Sequence, residues 1–269
     1  MMPDIRGIVS SDVDGDQLQE DLKKLEVWQS KWQMSFNPAK CKTICLFSNK
    51  VTSQRKYVFC EVELGQVVSI SYLGVILNNK LKWSNHVSSI SGKANKVLGL
   101  IRRNLLNCLK HVKETAYTAI VQPKLEYAYA DWDPYLQKDI DSLERVQRKA
   151  AGFCTNGYHP AAIVTDMIQE LGWQTLEQRR TFFLVTLIYK MSHGRLDIDV
   201  DFYLSRSNES RTSGSHNFIY MQYRATKNAY FYSCFPRTIR EWNALPATIV
   251  EADSLARFQS GLRDYQDSD

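Results

Sequence analysis

Basic side chains are concentrated in the stretch from Lys80 to Leu125, where the only acid is Glu114. The basic residues there are Lys80, Lys82, Lys93, Lys96, Arg102, Arg103, Lys110, Lys113 and Lys124. Cations in such numbers release counterions from a phosphate backbone, and this is the sequence-independent part of nucleic-acid binding. The pattern therefore predicts either a polyanionic partner or a solvated basic face that binds nothing.

A second basic stretch runs from Tyr203 to Arg240 and contains one acid, Glu209, although the net charge of the whole chain is only +5. Tyrosines and cations are interleaved in it, and they are Tyr220, Tyr223, Arg224, Lys227, Tyr230 and Tyr232. This mixture suits bases that stack on rings while their phosphates contact the cations. It also suits an edge hairpin that binds no ligand, which is the simpler interpretation.

Closely spaced aspartates could hold a metal ion in two places. These groups are Asp131 with Asp133, and Asp197 with Asp199 and Asp201. Acids at the entry to loops are far commoner than metal sites, so we expect no catalytic residue among them. The cysteines and histidines show neither C-x-x-C nor H-x₃₋₅-H spacing, so we also expect no metal site and reduced thiols.

Two predicted helices position most of the cations. From Asn85 to Lys110 the apolar residues fall on one side of a helical projection. Some cations lie on the opposite side, and others flank that opposite side. Those cations are Lys93, Lys96, Arg102, Arg103 and Lys110. A second helix from Asp139 to Phe153 carries Arg145, Arg148 and Lys149 opposite its apolar face. Its acids come early and its bases late, which complementation of the helix dipole explains equally well.

The N-terminal part predicts a helix and strands. A helix is expected over 16–34 with Asp16 as its N-cap, followed by a strand from Thr43 to Phe47. Two further strands, over 57–64 and 67–77, should form a hairpin near Gly65. No apolar run approaches the roughly 18 residues of a spanning helix, and the N-terminus has no signal-peptide pattern.

The remainder is predicted to be helical. Val112 to Tyr129 should be helical and kinked or divided by Pro123, and the later expected helices cover 161–171, 176–191, 235–245 and 254–265. Residues 205–215 are polar and predict a loop, and Trp242 should pack a terminal helix onto the body. The predicted fold class is α+β: a small antiparallel β region, then a mostly helical remainder.

An ordered series of motifs runs through nearly the whole chain. The motifs are W-Q-S-K-W (28–32), M-S-F-N-P-A-K-C (34–41), S-Y-L-G-V (71–75), W-S-N-H-V (83–87), K-A-N-K-V-L-G-L-I-R-R-N (93–104), V-Q-P-K-L-E-Y-A (121–128), L-E-R-V-Q-R-K-A-A (143–151), L-G-W-Q-T-L-E-Q-R-R (171–180) and F-P-R-T-I-R-E-W-N-A-L-P (235–246). From about Gln17 to Leu262 this succession resembles the C-terminal part of reverse transcriptases, or RNA-directed DNA polymerases, from non-LTR retrotransposons of the Jockey and CR1 type.

The resemblance implies roles for regions and residues. Residues 1–80 would be a partial palm, 81–158 a helical thumb and its connection, and 159–269 a C-terminal helical extension. Asn37 and Lys40 fall in the palm segment that follows the catalytic aspartates, where a lysine or a nearby group assists the leaving pyrophosphate. The primer-grip hairpin, which holds the primer end, would include Tyr72, Leu73 and Gly74. The thumb would track a template–primer duplex along its backbone.

One departure from the family matters for activity. Its polymerases hold two Mg²⁺ ions at aspartates that include an F/Y-A-D-D motif, and no adjacent Asp-Asp pair occurs in this chain. In the family that motif would lie a few residues before Ile5. We therefore expect no cofactor here and no polymerisation by this chain alone. The expected partners are an RNA–DNA hybrid or duplex and the missing palm and fingers, and the expected location is cytoplasmic or nuclear.

Two other hypotheses stay open at this stage. The chain could be a host-retained module that binds protein through its helical surface, with the tryptophans and tyrosines of the C-terminal third as support. It could also be the inert product of a degraded element, in which strands with unpaired edges favour aggregation.

Overall fold

The structure, a computed structural model, describes residues 5, 7–9, 11–46, 55–157, 164–207 and 216–267. It divides into two units, Met1–Lys82 and Trp83–Asp269. The chain is 57% helical with small sheets toward its N-terminal side, so the predicted α+β class is confirmed. No helix in these ranges is long and apolar enough to cross a membrane.

The first unit begins with helix α1, Asp12–Lys31. Its N-cap is Ser11, whose hydroxyl accepts a hydrogen bond from the Asp14 N–H while the Asp14 carboxylate accepts one from the Ser11 N–H. This reciprocal capping box starts the helix earlier than the predicted N-cap, Asp16, so that prediction is wrong. The helix also ends before Met34, since Gln33 has a left-handed φ of 54° that no helix can continue.

Six short strands follow among the described residues of the first unit. They are β1 (Lys42–Thr43), β2 (Val58–Phe59), β3 (Val62–Glu63), β4 (Gly65–Gln66), β5 (Ser69–Tyr72) and β6 (Val75–Asn78). Strands β2–β3 and β5–β6 pair antiparallel, while β1 pairs parallel with β4. Of the predicted strand over 43–47, Thr43 ends β1 and Phe47 lies outside the described residues.

The single hairpin expected near Gly65 is wrong, because the structure has two tight hairpins instead. The chain reverses at Cys60–Glu61 and again at Leu73–Gly74, and all four residues have positive φ, between 46° and 85°. Positive φ at both central residues is the type I′ geometry, which matches the twist of paired strands. Three of these four residues are not glycine, so no clear turn signal marks these positions in the sequence.

The core of the first unit is small. Tyr57, Phe59 and Leu64 are buried, and Leu18, Leu22 and Leu25 of α1 pack against them. The ring of Phe36 lies 5.5 Å from that of Phe59 and so anchors the segment after α1.

The second unit is helical. Its elements are α2 (Ser84–Leu105), α3 (Lys110–Ala116), a π-helical turn (Tyr117–Val121), α4 (Gln122–Glu126), α5 (Gln137–Cys154), α6 (Val164–Glu170), α7 (Leu176–Ser192), a 3₁₀ turn (Val200–Phe202), α8 (Asn228–Phe231), α9 (Cys234–Ala244), α10 (Ala247–Val250) and α11 (Leu255–Gln266). Pro123 sits in the first turn of α4 directly after the π-helical turn, so the predicted division at this proline is confirmed.

Helices α2 and α5 run parallel to each other along their lengths. Three side-chain contacts show the direction, because they advance together along both helices. The contacts are Ser84 with Asp139 at 2.7 Å, Ser91 with Ser142 at 3.5 Å, and Asn95 with Lys149 at 3.3 Å. In the sequence, α3 and α4 come between α2 and α5. They return the chain to the end of the pair at which both helices begin.

The C-terminal helices surround Trp242, which is fully buried. Its ring nitrogen donates a hydrogen bond of 2.7 Å to the Phe218 carbonyl, and Ile188, Tyr189 and Phe258 belong to the same core. The prediction that Trp242 packs a terminal helix onto the body is therefore confirmed. Of the predicted helix over 161–171, residues 161–163 lie outside the described residues, and so do residues 208–215 of the predicted polar loop over 205–215.

Candidate nucleic-acid interface

Helix α2 presents cations on the side opposite its buried face. Val87, Ala94, Leu98 and Ile101 are buried. The exposed cations are Lys93, Lys96, Arg102 and Arg103. The helix contains no acidic residue that could neutralise them.

Helix α5 adds Arg145, Arg148 and Lys149, all of them exposed. The Lys149 ammonium donates a hydrogen bond of 3.3 Å to the side chain of Asn95, which places this cation at the seam between α5 and α2. Because the two helices run parallel, Lys93 and Lys96 stand at heights similar to those of the α5 cations, and Arg102 and Arg103 lie farther along α2. We call this set the basic surface: Lys93, Lys96, Arg102, Arg103, Arg145, Arg148 and Lys149.

The acids of α5 are engaged in other contacts. Asp139 is buried and accepts a hydrogen bond from Ser84, while Asp141 accepts one from Gln137. Glu144 accepts a hydrogen bond of 3.1 Å from the Glu177 N–H at the start of α7. Burial raises the pKa of Glu144, although the backbone N–H groups of α7 and the nearby Arg180 lower it. Asp139 and Glu144 thus accept hydrogen bonds from the first residues of α2 and α7, and they do not neutralise the basic surface.

Two cations predicted to bind nucleic acid are placed elsewhere. Helix α2 ends at Leu105, so Lys110 begins α3 instead of extending the predicted row of cations. Its ammonium lies 2.6 Å from the Glu170 carboxylate, and this hydrogen bond raises the pKa of Lys110. The expectation of one helix over 85–110 is therefore wrong.

Lys113 is only 1% exposed, so its predicted role in contacting nucleic acid is wrong. The ammonium donates a hydrogen bond of 2.6 Å to Asn156 and lies 5.0 Å from the centre of the Phe153 ring. The cause is helix periodicity, because Lys113 shares the buried side of its segment with Tyr117, Val121 and Leu125, which follow at steps of four.

The residues to which the resemblance assigns polymerase roles lie in the first unit. Leu73 and Gly74 form the exposed turn of the β5–β6 hairpin, and Tyr72, half-buried, pairs with Val75 beside it. Asn37 precedes a 3₁₀ turn, Pro38–Lys40, and its carbonyl accepts the Lys40 N–H at 3.0 Å. Both Asn37 and Lys40 are exposed. The two groups belong to one unit, and each lies at a backbone turn.

Asp133 is a structural residue rather than a metal ligand. Its side chain is 3% exposed and contacts two guanidinium groups, Arg180 at 3.1 Å and Arg237 at 2.5 Å. Burial raises the pKa of Asp133, and the two arginines oppose that rise. Each oxygen of this buried carboxylate therefore contacts an arginine, which is the environment of a structural ion pair. Asp131 is exposed, and Asp197, Asp199 and Asp201 lie exposed before and within the 3₁₀ turn.

The described residues offer no fit for the two magnesium ions of the polymerase family. No group of three or more His, Cys, Asp or Glu side chains in the described ranges could hold a metal ion. The six cysteines are free thiols, and burial raises the pKa of Cys154 to about 12 and that of Cys234 to about 11. These two thiols are therefore protonated and unreactive near neutral pH.

Asn95 contributes to the contact between α2 and α5, and its role was not predicted from the sequence. Its amide donates to the Ser91 carbonyl at 2.8 Å and its oxygen accepts from Lys149. The position of this asparagine at the edge of the apolar face of α2 could have indicated a contact with a neighbouring helix.

Comparison with known proteins shows similarity to two RNA-directed DNA polymerases of mobile elements. The chain is 26% identical over 144 residues to a probable RNA-directed DNA polymerase from transposon X-element of Drosophila melanogaster, a stretch that covers 52% of this chain and 16% of the relative. It is 29% identical over 141 residues to the RNA-directed DNA polymerase from mobile element jockey of Drosophila funebris, with 50% and 15% covered.

The matched part therefore spans about a sixth of the length of these curated relatives. No family model matches the chain, and no solved structure matches it significantly. The resemblance to polymerases of non-LTR retrotransposons is confirmed, over about half of the chain.

Proposed function

We propose that this chain is a part of a non-LTR retrotransposon reverse transcriptase that binds the template–primer duplex through the basic surface. The observation that carries the proposal is the parallel pairing of α2 and α5. It places the exposed cations of α5 level with Lys93 and Lys96 of α2, with Arg102 and Arg103 farther along that helix, while the acids of α5 contact other groups. The similarity to mobile-element polymerases supports a nucleic acid as the polyanion.

The spacing of the cations suits a duplex backbone. Lys93 and Arg103 are ten residues apart on α2, which corresponds to about 15 Å of helix. A duplex carries one negative charge per roughly 1.7 Å of its axis, so a surface of this length can contact several phosphates. Lysines and arginines on an exposed helix face neutralise phosphates without reading bases, and binding should therefore be independent of sequence.

Within the same proposal, the helices from α2 onward act as the thumb. The β5–β6 turn with Tyr72, Leu73 and Gly74 acts as the primer grip, and Asn37 and Lys40 belong to the late palm. Support comes from the tight turn, which holds Leu73 exposed at a φ of 46°.

Catalysis is not assigned to this chain. Two-metal phosphoryl transfer needs carboxylates that fix both ions, and the chain has no adjacent aspartates. We therefore propose that it contributes duplex binding, and that polymerisation requires a palm with the aspartate motif.

The proposal is tested by binding of the whole chain to a short fluorescein-labelled RNA–DNA hybrid, followed by fluorescence anisotropy. The variant K96E/R103E/R145E reverses three charges of the basic surface, and we expect it to lose measurable binding at about 150 mM salt. Because all three side chains are exposed, we expect the variant to fold normally. Circular dichroism checks that its helices are intact.

A matched control changes the net charge equally at other exposed positions. The variant K23E/K24E/R257E alters side chains that are 58%, 70% and 76% exposed, and we expect it to bind nearly as tightly as the wild type. Equal affinities of the two triple variants would contradict a role for the basic surface.

A further inference from the structure

Five aromatic rings lie close together in the C-terminal third of the chain, four of them exposed and the fifth, Tyr223, partly buried. We call this group the aromatic surface, and its members are Phe202, Tyr203, Tyr223, Tyr230 and Phe231. Phe202 is 78% exposed and Tyr230 is 45% exposed, while Tyr203 and Phe231 are 39% and 37% exposed. Large rings cost free energy when they are left in water, so a group of them marks a surface that contacts a partner.

Ring contacts, one hydrogen bond and chain adjacency connect the five residues. The ring centroids of Phe202 and Tyr203 are 4.9 Å apart, and those of Tyr223 and Tyr230 are 6.3 Å apart. The Tyr223 hydroxyl donates a hydrogen bond to the Tyr203 carbonyl, which connects the two pairs. Tyr230 and Phe231 are successive residues of α8. The rings are therefore held by neighbouring elements in one part of the second unit.

Positive charge is fixed beside these rings. The Arg240 guanidinium lies 3.9 Å from the centre of the Phe231 ring and donates hydrogen bonds of 3.1 Å to the carbonyls of Phe231 and Pro236. Arg224 follows Tyr223 directly and is exposed, as is Lys227, whose carbonyl accepts the N–H groups of Tyr230 and Phe231. No acid occurs between His216 and Arg240.

The charges also give the surface a direction. Asp199 and Asp201 lie at the Phe202 end, whereas Arg224, Lys227 and Arg240 lie at the end of Tyr223 and Phe231. A polyanion would place its phosphates along the cationic end. Its apolar groups would then reach toward the rings.

We propose that the aromatic surface binds single-stranded nucleic acid, with bases stacked on exposed rings and phosphates contacting Arg224 and Lys227. Unstacked bases expose the flat faces that aromatic side chains recognise, whereas the bases of a duplex are covered by their neighbours. This site is separate from the basic surface, which contacts a backbone and offers no aromatic side chain.

The structure revises the set of tyrosines that the sequence suggested for such stacking. Tyr220 is buried, and its hydroxyl donates a hydrogen bond of 2.8 Å to Ser192. The Tyr232 ring stacks on Tyr135 with centroids 4.7 Å apart. Tyr220 also forms a single antiparallel bridge with Arg206, so the expected edge pairing exists in a minimal form. Phe202, Tyr203 and Phe231 were not foreseen.

The test compares two fluorescein-labelled probes on the full chain: oligothymidine of about ten residues and the RNA–DNA hybrid. We expect the variant F202A/Y230A to bind the oligothymidine roughly a hundredfold more weakly than the wild type, because each lost stacking contact weakens binding roughly tenfold. Its affinity for the hybrid should be unchanged. The variant Y230F keeps the ring and should bind both probes as the wild type does.

Two controls separate this site from others. The variant F183A removes a ring that is 49% exposed on α7 and should leave both affinities unchanged. The variant K96E/R103E/R145E should weaken binding of the hybrid more than that of the oligothymidine. The proposal is overturned if the wild type does not bind oligothymidine, if F202A/Y230A binds it normally, or if F202A/Y230A loses both probes equally.

Discussion

The Ser84 hydroxyl donates a hydrogen bond of 2.7 Å to the carboxylate of Asp139, and this contact ties the first turn of α2 to the first turn of α5. Asp139 is 6% exposed, and the Ser84 hydroxyl satisfies one of its carboxylate oxygens. The carboxylate also lies beside the N-terminal end of α2, where the helix dipole favours a negative charge. One contact thus sets the direction of the helix pair and removes an acid from the basic surface.

The first prediction concerns the stability that this contact provides. We expect Ser84→Ala to lower the free energy of unfolding by about 1 to 3 kcal/mol, because it leaves a buried carboxylate without a hydrogen-bond donor. Urea denaturation measures the change. Ser88→Ala is the matched control on the same helix, since Ser88 is exposed, and it should change the stability by less than about 0.5 kcal/mol. Equal losses for the two variants would argue against a structural role of the contact.

The second prediction concerns pH. His86 is 1% exposed in the first turn of α2, its ring lies 4.5 Å from that of Trp132, and burial, together with Lys93, lowers its pKa to about 4. The unfolded chain binds this proton at the ordinary pKa of about 6.5, so protonation favours unfolding as the pH falls below that value. The contribution is present above pH 6.5 and is lost progressively toward pH 4.

The expected loss that is due to His86 is about 2 kcal/mol between pH 7 and pH 5. His86→Phe keeps a ring against Trp132 and cannot be protonated, so its stability should fall less over the same range. Urea denaturation at pH 7, 6 and 5 gives the difference between the two proteins. Parallel pH profiles would show that His86 is not responsible.

The helices were predictable because they bury one face each. Apolar spacing placed α7 at 176–191, and the structure has Leu176–Ser192, where Thr175 and Gln178 form a capping box that stops the helix from starting earlier. Strands were harder to predict, since Cys60 and Glu61 adopt left-handed φ without a glycine to mark the turn. The pairing of β2 with β3 imposes this conformation, although cysteine and glutamate do not favour a left-handed φ on their own.

The candidate site was only partly predictable. Charge and period identified Lys96, Arg103, Arg145 and Arg148 as exposed cations, and the structure agrees. The same period, continued past Leu105, misplaced Lys110, because a helix end depends on contacts that spacing does not reveal. The pairing of α2 with α5 depends on contacts of Ser84 and Asn95 with residues more than fifty positions away, and local spacing along the chain does not reveal such contacts.

The third prediction separates a buried lysine from an exposed one. Lys113→Met replaces the buried ammonium with an apolar chain of similar size, and Asn156 is exposed and can bind water instead. We expect the free energy of unfolding to change by less than about 1.5 kcal/mol and the affinity for the hybrid to stay the same. Lys96→Met, the exposed counterpart, should weaken hybrid binding without a loss of stability. Weakened binding by Lys113→Met would contradict the structural role.

The fourth prediction concerns the β5–β6 turn. Leu73 has a φ of 46° and is 60% exposed, and a branched side chain is strained in this region. We expect Leu73→Asn to raise the free energy of unfolding by about 0.5 to 1 kcal/mol, because asparagine tolerates the type I′ geometry. Leu106→Asn makes the same substitution at a site that is 54% exposed with a φ of −54°, and it should give no gain. Thermal unfolding of the three proteins tests this, and a gain in both variants would point to reduced apolar exposure as the cause.

The fifth prediction uses salt to count phosphate contacts. The logarithm of the affinity for a duplex falls linearly with the logarithm of salt concentration, with a slope of about −0.9 for each neutralised phosphate. Lys96→Gln and Arg103→Gln should each make the slope shallower by about 0.9, since both side chains are exposed and lie on a helix without acids. Lys110→Gln should change it less, because the Lys110 ammonium lies 2.6 Å from Glu170 and would have to leave that carboxylate to reach a phosphate. Anisotropy titrations of the hybrid at several salt concentrations give the three slopes. If Lys110→Gln alters the slope as much as Lys96→Gln, the Glu170 pair is broken in the complex and the basic surface extends to α3.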